Sequence, residues 1–169
     1  VAPDYLIVES EVKDRLLSLI DAEIKRQFGE NPLQNPDYGK IVNRKHFDRL
    51  TGLCPTAESN PETLQIAPTV IKDATLDHPA MGEEIFGPLL PVLTVEKIAE
   101  AKKIIAKNPM PLAFYLFSSD AKTQRELMTS VQFGGGCVND TIIHLATSEA
   151  GFGGVGESGI GAYHGKTGF

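Results

Sequence analysis

The chain has no tryptophan and two cysteines in 169 residues. Cys54 and Cys137 are too few for a disulfide scaffold or a cysteine-rich zinc site. No apolar run approaches the ~20 residues that cross a bilayer. No basic-then-apolar signal segment opens the chain. These absences predict a cytoplasmic protein without a membrane partner. Basic residues are outnumbered, 16 Lys and Arg against 22 Asp and Glu, which leaves a formal charge of -6 and a pI near 5.2. General nucleic-acid binding is excluded on that balance, because phosphate recognition needs a basic face. The histidines His46, His78, His144 and His164 show no metal-ligand spacing. An initiator methionine is missing too. The chain opens Val1-Ala2-Pro3-Asp4, as expected of a processed chain or a piece of a longer one.

What is present is a globular mix, with 41% hydrophobic and 22% charged residues. The length suits one domain on the usual scale of roughly 100–200 residues. Tyr5-Leu6-Ile7-Val8 reads as a buried strand. A helix is predicted over about 10–28, with Val12, Leu16, Leu19, Ile20 and Ile24 on one face, Ser10 as N-cap and Gly29 as the stop. Residues 30–39 are turn chemistry, and a second helix is predicted over 43–53. Leu64-Gln65-Ile66 and Thr69-Val70-Ile71 flank Pro68, which predicts a strand pair or an edge strand. Leu89 to Val95 is a further apolar run that contains Pro91. Helical spacing runs from Glu96 to Lys107. Leu112 to Phe117, apolar throughout, predicts a strand covered on both faces. Asp120 caps a helix to about Ser130, and Gly136 to Asn139 is strand-like. Strand and helix alternate, which predicts an α/β layered fold: a mainly parallel sheet with flanking helices.

The last nineteen residues contain eight glycines and almost no periodicity. Such density implies tight turns or close backbone approach. Gly154-x-Gly156-x-x-Gly159 matches the dinucleotide fingerprint as a string. It lacks the following helix and the acidic residue about 20 positions on that the mechanism needs. Ser158 does not sit in a nucleophile elbow. Glu83-Glu84 in a Gly/Pro-bounded loop offers paired carboxylates for a metal or for sugar hydroxyls. His144 and His164, near the tail, are pocket candidates, and His46 reads as a surface residue. Neither cysteine has a basic or histidine neighbour within a few residues to activate it, so Cys137 reads as a small buried hydrophobe.

Four segments in order resemble one family. Glu83-Glu84-Ile85-Phe86-Gly87-Pro88 resembles the Glu-Glu-Ile-Phe-Gly-Pro motif of the NAD(P)-dependent aldehyde dehydrogenases. Phe152-Gly153-Gly154-Val155-Gly156-Glu157-Ser158-Gly159 resembles their Phe-Gly-Gly-x-x-x-Ser-Gly motif. Pro36-Asp37-Tyr38-Gly39-Lys40-Ile41-Val42 and Ala162-Tyr163-His164-Gly165-Lys166 resemble the class 3 branch, which acts on fatty and aromatic aldehydes. Two positions depart from the family pattern: Gly151 stands where Pro is common, and Glu157 where the branch often has Asn.

The resemblance implies that residues 1–169 are the C-terminal part of the catalytic domain, without the cofactor-binding domain. In many members the nucleophilic cysteine is followed by Val-Ala-Pro-Asp-Tyr. The resemblance therefore implies that this chain starts one residue after it, with no catalytic residue of its own. It implies a cofactor contact to NAD or NADP at Glu84 and Phe86, and an aldehyde pocket near Ile143, His144 and Phe152. It also implies a homodimer for the full-length enzyme. Two other readings stand beside it. One is a non-catalytic binding or assembly module with a retained fold; the other is a small enzyme using Cys137 or Cys54.

Overall fold

The structure is a computed structural model that describes residues 2–169, the side chain of Thr167 excepted. Val1, and with it the expected junction to a nucleophile, lies outside the described residues. Two units divide the chain near residue 98, and each is built separately.

In the first unit β1 (Leu6–Glu9) leads directly into α1 (Ser10–Phe28). β1 pairs in parallel with β5 (Leu89–Val95), Leu6 opposite Val92. β5 pairs on its other side, again in parallel, with β4 (Thr69–Ile71). The order β1-β5-β4 makes the parallel sheet that the alternation predicts. Pro91 is tolerated in the central strand because it stands one residue before the β1 ladder begins. There the missing N–H leaves no bond unmade on that side. The segments flanking Pro68 do not pair with each other. β4 is the sheet edge, and β3 (Gln65–Ile66) pairs antiparallel with β2 (Ser59–Asn60).

α1 has the predicted length, and Gly29 ends it at φ +85°, donating its N–H to Lys25 O. Its buried face differs from the predicted stripe. Leu17 is the buried residue and packs with Val8 and Val92, while Val12 and Leu19 are about half exposed. Ser10 is not the cap either. The cap position is Glu9, whose carboxylate accepts from Ile98 N, and Ser10 Oγ donates to Glu96 Oε2. α2 (Arg44–Leu53) is capped by Asn43, which accepts from His46 N at 3.0 Å. Phe47 and Leu50 on α2 form a core with Cys54, Ile66, Ile85 and Leu89. The Tyr38 hydroxyl crosses to Ile66 O at 2.6 Å, and burial pushes its phenol up to about 12.

In the second unit the helix expected over 96–107 shrinks to α3 (Ala101–Ile105) behind a 3-10 turn, Ile98–Glu100. β6 (Ala113–Leu116) pairs in parallel with β7 (Gly135–Val138). Cover on both faces does not hold for 112–117. Only Leu116 is buried there and Phe117 is 63% exposed, since the partner β7 brings two glycines and little side-chain bulk. α4 (Ala121–Ser130) is capped by Asp120, which accepts from Thr123 N. The tail closes on itself through a Phe152–Tyr163 bridge and ends in α5 (Gly165–Gly168). A Cβ at Gly153 would run into Gly161 O, which is why that position is glycine.

Candidate functional site

Glu84 and Phe86 flank Ile85, and the three side chains part company. Ile85 is 1% exposed in the core with Leu50 and Leu89. Glu84 and Phe86 face outward, Phe86 at 79% exposure. Two backbone features hold this display. Phe86 has φ +50°, a left-handed conformation that a bulky residue rarely adopts. Gly87 lies so close to α2 that a Cβ there would meet both Leu50 methyl carbons. The loop is therefore seated directly on α2.

Hydrogen bonds fix it further. Arg49, next to Leu50 on α2, donates to Ile85 O, to Glu84 O at 3.4 Å and to Glu83 Oε1 at 3.0 Å. Asp4 Oδ1 accepts from Ile85 N at 3.0 Å. Burial raises the Asp4 carboxyl, and the Ile85 N–H partly offsets that. Glu83 is thus spent on Arg49. The Glu84 carboxylate enters no hydrogen bond or ion pair among the described residues. The two adjacent carboxylates do not act as a pair, and no group of three or more metal-type ligands occurs among the described residues.

The expected pocket residues lie in the second unit. His144 sits on a 3-10 turn, Ile143–Leu145. Its ring packs between Tyr115 and Phe152, at centroid distances of 5.6 and 6.1 Å, and Phe152 continues to Tyr163 at 6.4 Å. The Nε2 of His144 is buried with no hydrogen-bond partner among the described residues. Ile143 shares the turn, but its side chain is 60% exposed and stands outside this aromatic row. His164 instead contacts Thr147 O through Nε2 at 3.0 Å, and His46 is half-buried on α2.

Sequence reasoning missed three features. Cys137 is buried as expected, yet His144 Nδ1 lies 3.6 Å from its sulfur. The pair is seven residues apart, brought together by the turn after β7, so no neighbouring residue signals it. Arg49 and Asp4 were missed because their partner, Ile85, is 36 and 81 positions away. The Gly154–Gly159 string forms no α-helix after its first glycines. Val155 leads into one 3-10 turn, Gly156–Ser158, closed by the Ser158 hydroxyl on Val155 N and O.

The parallel strands and flanking helices place the chain among α/β proteins. More narrowly, the chain belongs to the aldehyde dehydrogenase family, whose model matches residues 1–169. It is 44% identical to a 4,4'-diaponeurosporen-aldehyde dehydrogenase of Staphylococcus aureus, covering all of this chain and 39% of that relative. It is 42% identical to aldehyde dehydrogenase family 3 member H1 of Arabidopsis thaliana, covering 100% of this chain and 37% of the relative. The chain thus spans well under half the length of these class 3 and bacterial relatives. Among solved structures, the substrate-bound state of Staphylococcus aureus AldH superposes with a TM-score of 0.94 at 44% identity, over 100% of this chain and 39% of that one. A betaine aldehyde dehydrogenase from the same organism, in complex with NAD+, shares the fold at a TM-score of 0.78 and 22% identity, over 98% of this chain and 36% of that one.

Proposed function

We propose that residues 1–169 are the C-terminal part of the catalytic domain of a class 3-like aldehyde dehydrogenase. The full-length enzyme oxidises an aldehyde to a carboxylic acid. A cysteine thiolate upstream of this chain adds to the aldehyde carbon and forms a thiohemiacetal. NAD or NADP, when bound, supplies the hydride acceptor. Hydride loss leaves a thioester on that cysteine, and water activated by a carboxylate hydrolyses it, releasing the acid and the thiol.

Glu84 accepts hydrogen bonds from the nicotinamide ribose hydroxyls, a task suited to a carboxylate with two free acceptor oxygens. Phe86 lays its ring beside the ribose or nicotinamide. The observation that carries this reading is the display itself: Ile85 is anchored, Glu84 is unpaired among the described residues, and Phe86 is held out in a left-handed conformation. The residues present fit the ribose end of a dinucleotide. They do not fit its pyrophosphate, since the glycine-rich tail binds its own backbone.

His144 and Phe152, with Ile143 at the rim, line the aldehyde pocket. For the full-length protein the reading includes a cytoplasmic homodimer with no nucleic-acid or membrane partner. The formal charge of -6 speaks against a general nucleic-acid partner, and the homodimer is what the family resemblance implies. No helix among the described residues is long and apolar enough to cross a membrane.

The test has two parts. The 169-residue chain alone is expected to show no aldehyde-dependent cofactor reduction, and turnover by it would sink the assignment of the nucleophile upstream. In the full-length enzyme, Glu84→Gln is expected to raise the cofactor KM about tenfold, the size of one lost charged hydrogen bond. An unchanged KM would remove Glu84 from the cofactor site.

A further inference from the structure

Ile85 is the fixed point of the 83–86 loop, and it is held in three ways. Its side chain is in the core. Its N–H is met by Asp4 at 3.0 Å, from the segment that precedes β1. Its carbonyl is met by Arg49 of α2, whose guanidinium also bonds Glu84 O and the Glu83 carboxylate. Both backbone groups of one residue are thus satisfied by charged side chains, one from the start and one from the middle of the first unit's sequence. The neighbouring Phe86 occupies a left-handed conformation, which persists only where the surroundings over-determine it. Relaxation of Phe86 would turn its ring away from this display.

We infer that Asp4 and Arg49 form a clamp on Ile85 that positions Glu84 and Phe86 for the cofactor. Both are positioning residues, acting through Ile85 rather than on the reacting atoms. The inference rests on the reading of Glu84 and Phe86 as cofactor contacts. The chemistry of each arm makes a distinct demand. Arg49 serves three acceptors with one planar fork, which a lysine ammonium cannot reproduce. Asp4 needs only one acceptor oxygen toward Ile85 N, which an asparagine amide retains. The clamp also ties the loop to the residues that follow Val1.

The experiment uses the full-length dehydrogenase. Reduced cofactor is titrated at equilibrium by its own fluorescence, beside steady-state KM and kcat and a thermal melt. Asp4→Ala and Arg49→Met are each expected to raise the cofactor dissociation constant about tenfold, with kcat at saturation changed less. Asp4→Asn is expected to recover most of that affinity, and Arg49→Lys only part of it. A lower melting temperature with unchanged affinity in the folded enzyme overturns the clamp. If Glu84→Gln weakens binding and the clamp variants do not, the clamp fails while the cofactor reading stands. If Glu84→Gln also leaves binding unchanged, the cofactor reading itself falls and the clamp with it. Should Arg49→Met fail to fold, the Asp4→Ala and Asp4→Asn pair decides on the same criteria.

Discussion

Residues 2–98 and residues 99–169 hold themselves together by different means. The first region buries aliphatic and aromatic side chains around Leu50, Ile85 and Val92. In the second, the buried apolar side chains among the described residues are Ala101, Ile105, Leu116, Leu127 and Cys137. It relies instead on close backbone approach, as at Gly153 against Gly161 O and Gly134 against Gly153 O. A side-chain core tolerates loss of atoms poorly and gain moderately. A backbone-packed region has no atoms to lose and little tolerance for gain. The carboxylate loop sits on the first kind of support and the aromatic row around His144 on the second.

The comparison breaks most sharply at Leu50. Leu50→Ala is expected to cost about 2–5 kcal/mol, since Leu50 is fully buried and also seats Gly87. Hydrogen exchange followed by mass spectrometry should show the loss over residues 2–98 and spare 99–169. Equal loss in both would mean that the two regions fold as one. Gly153→Ala is the mirror experiment. Its Cβ meets backbone that cannot step aside, so about 1–3 kcal/mol of overpacking is expected, confined to the tail. Tyr38→Phe comes next. It removes the bond to Ile66 O and is expected to cost about 1 kcal/mol, read as a lower urea midpoint. Asn43→Ala, which removes the cap of α2, is expected to cost a similar ~1 kcal/mol.

The smallest effects concern pH, and here the regions differ in sign. Asp4 in the first region has its carboxyl raised by burial above the ordinary 3.8. The folded state then binds its proton first, so its contribution to stability grows as pH falls toward 3.8. Asp120 in the second region is held below 3.8 by the Thr123 hydroxyl and N–H. Its contribution is complete above 3.8 and is lost as pH falls further, through its folded midpoint. Carboxyl resonances followed by NMR should titrate with Asp4 above Asp120. The reverse order would contradict the burial of Asp4.

Much of the first region was legible because its signals are local. The Gly29 stop depends on its own positive φ and its backbone bond to Lys25 O, and the Asn43 cap of α2, like the Asp120 cap in the second region, on a side chain bonding within its own turn. The face of α1 was misread because Leu17, not Leu19, meets Val8 and Val92, and that choice belongs to the sheet rather than to the helix. Ser10 lies one residue inside the helix, with Glu9 at the cap position, and its hydroxyl donates to Glu96. The strand at 113–116 was placed correctly, but its cover was not, because cover depends on neighbours that spacing does not encode. At the site, Glu84 stood out as one of two adjacent loop carboxylates, but its cofactor role, and that of Phe86, came from family resemblance. Their support from Asp4, Leu50 and Arg49, like the Cys137–His144 contact, is made between segments, where no periodicity reports it.

The loop that displays Glu84 and Phe86 reads as a short uninterrupted string, yet its shape is not portable. A peptide spanning 82–88 would bring the side chains and leave behind the three residues that set the Phe86 backbone. Transplanting the motif into another scaffold would require an acidic acceptor, a guanidinium and an apolar floor at the same three points around one isoleucine. The string is best regarded as the exposed edge of a scaffold assembled from distant parts of the chain.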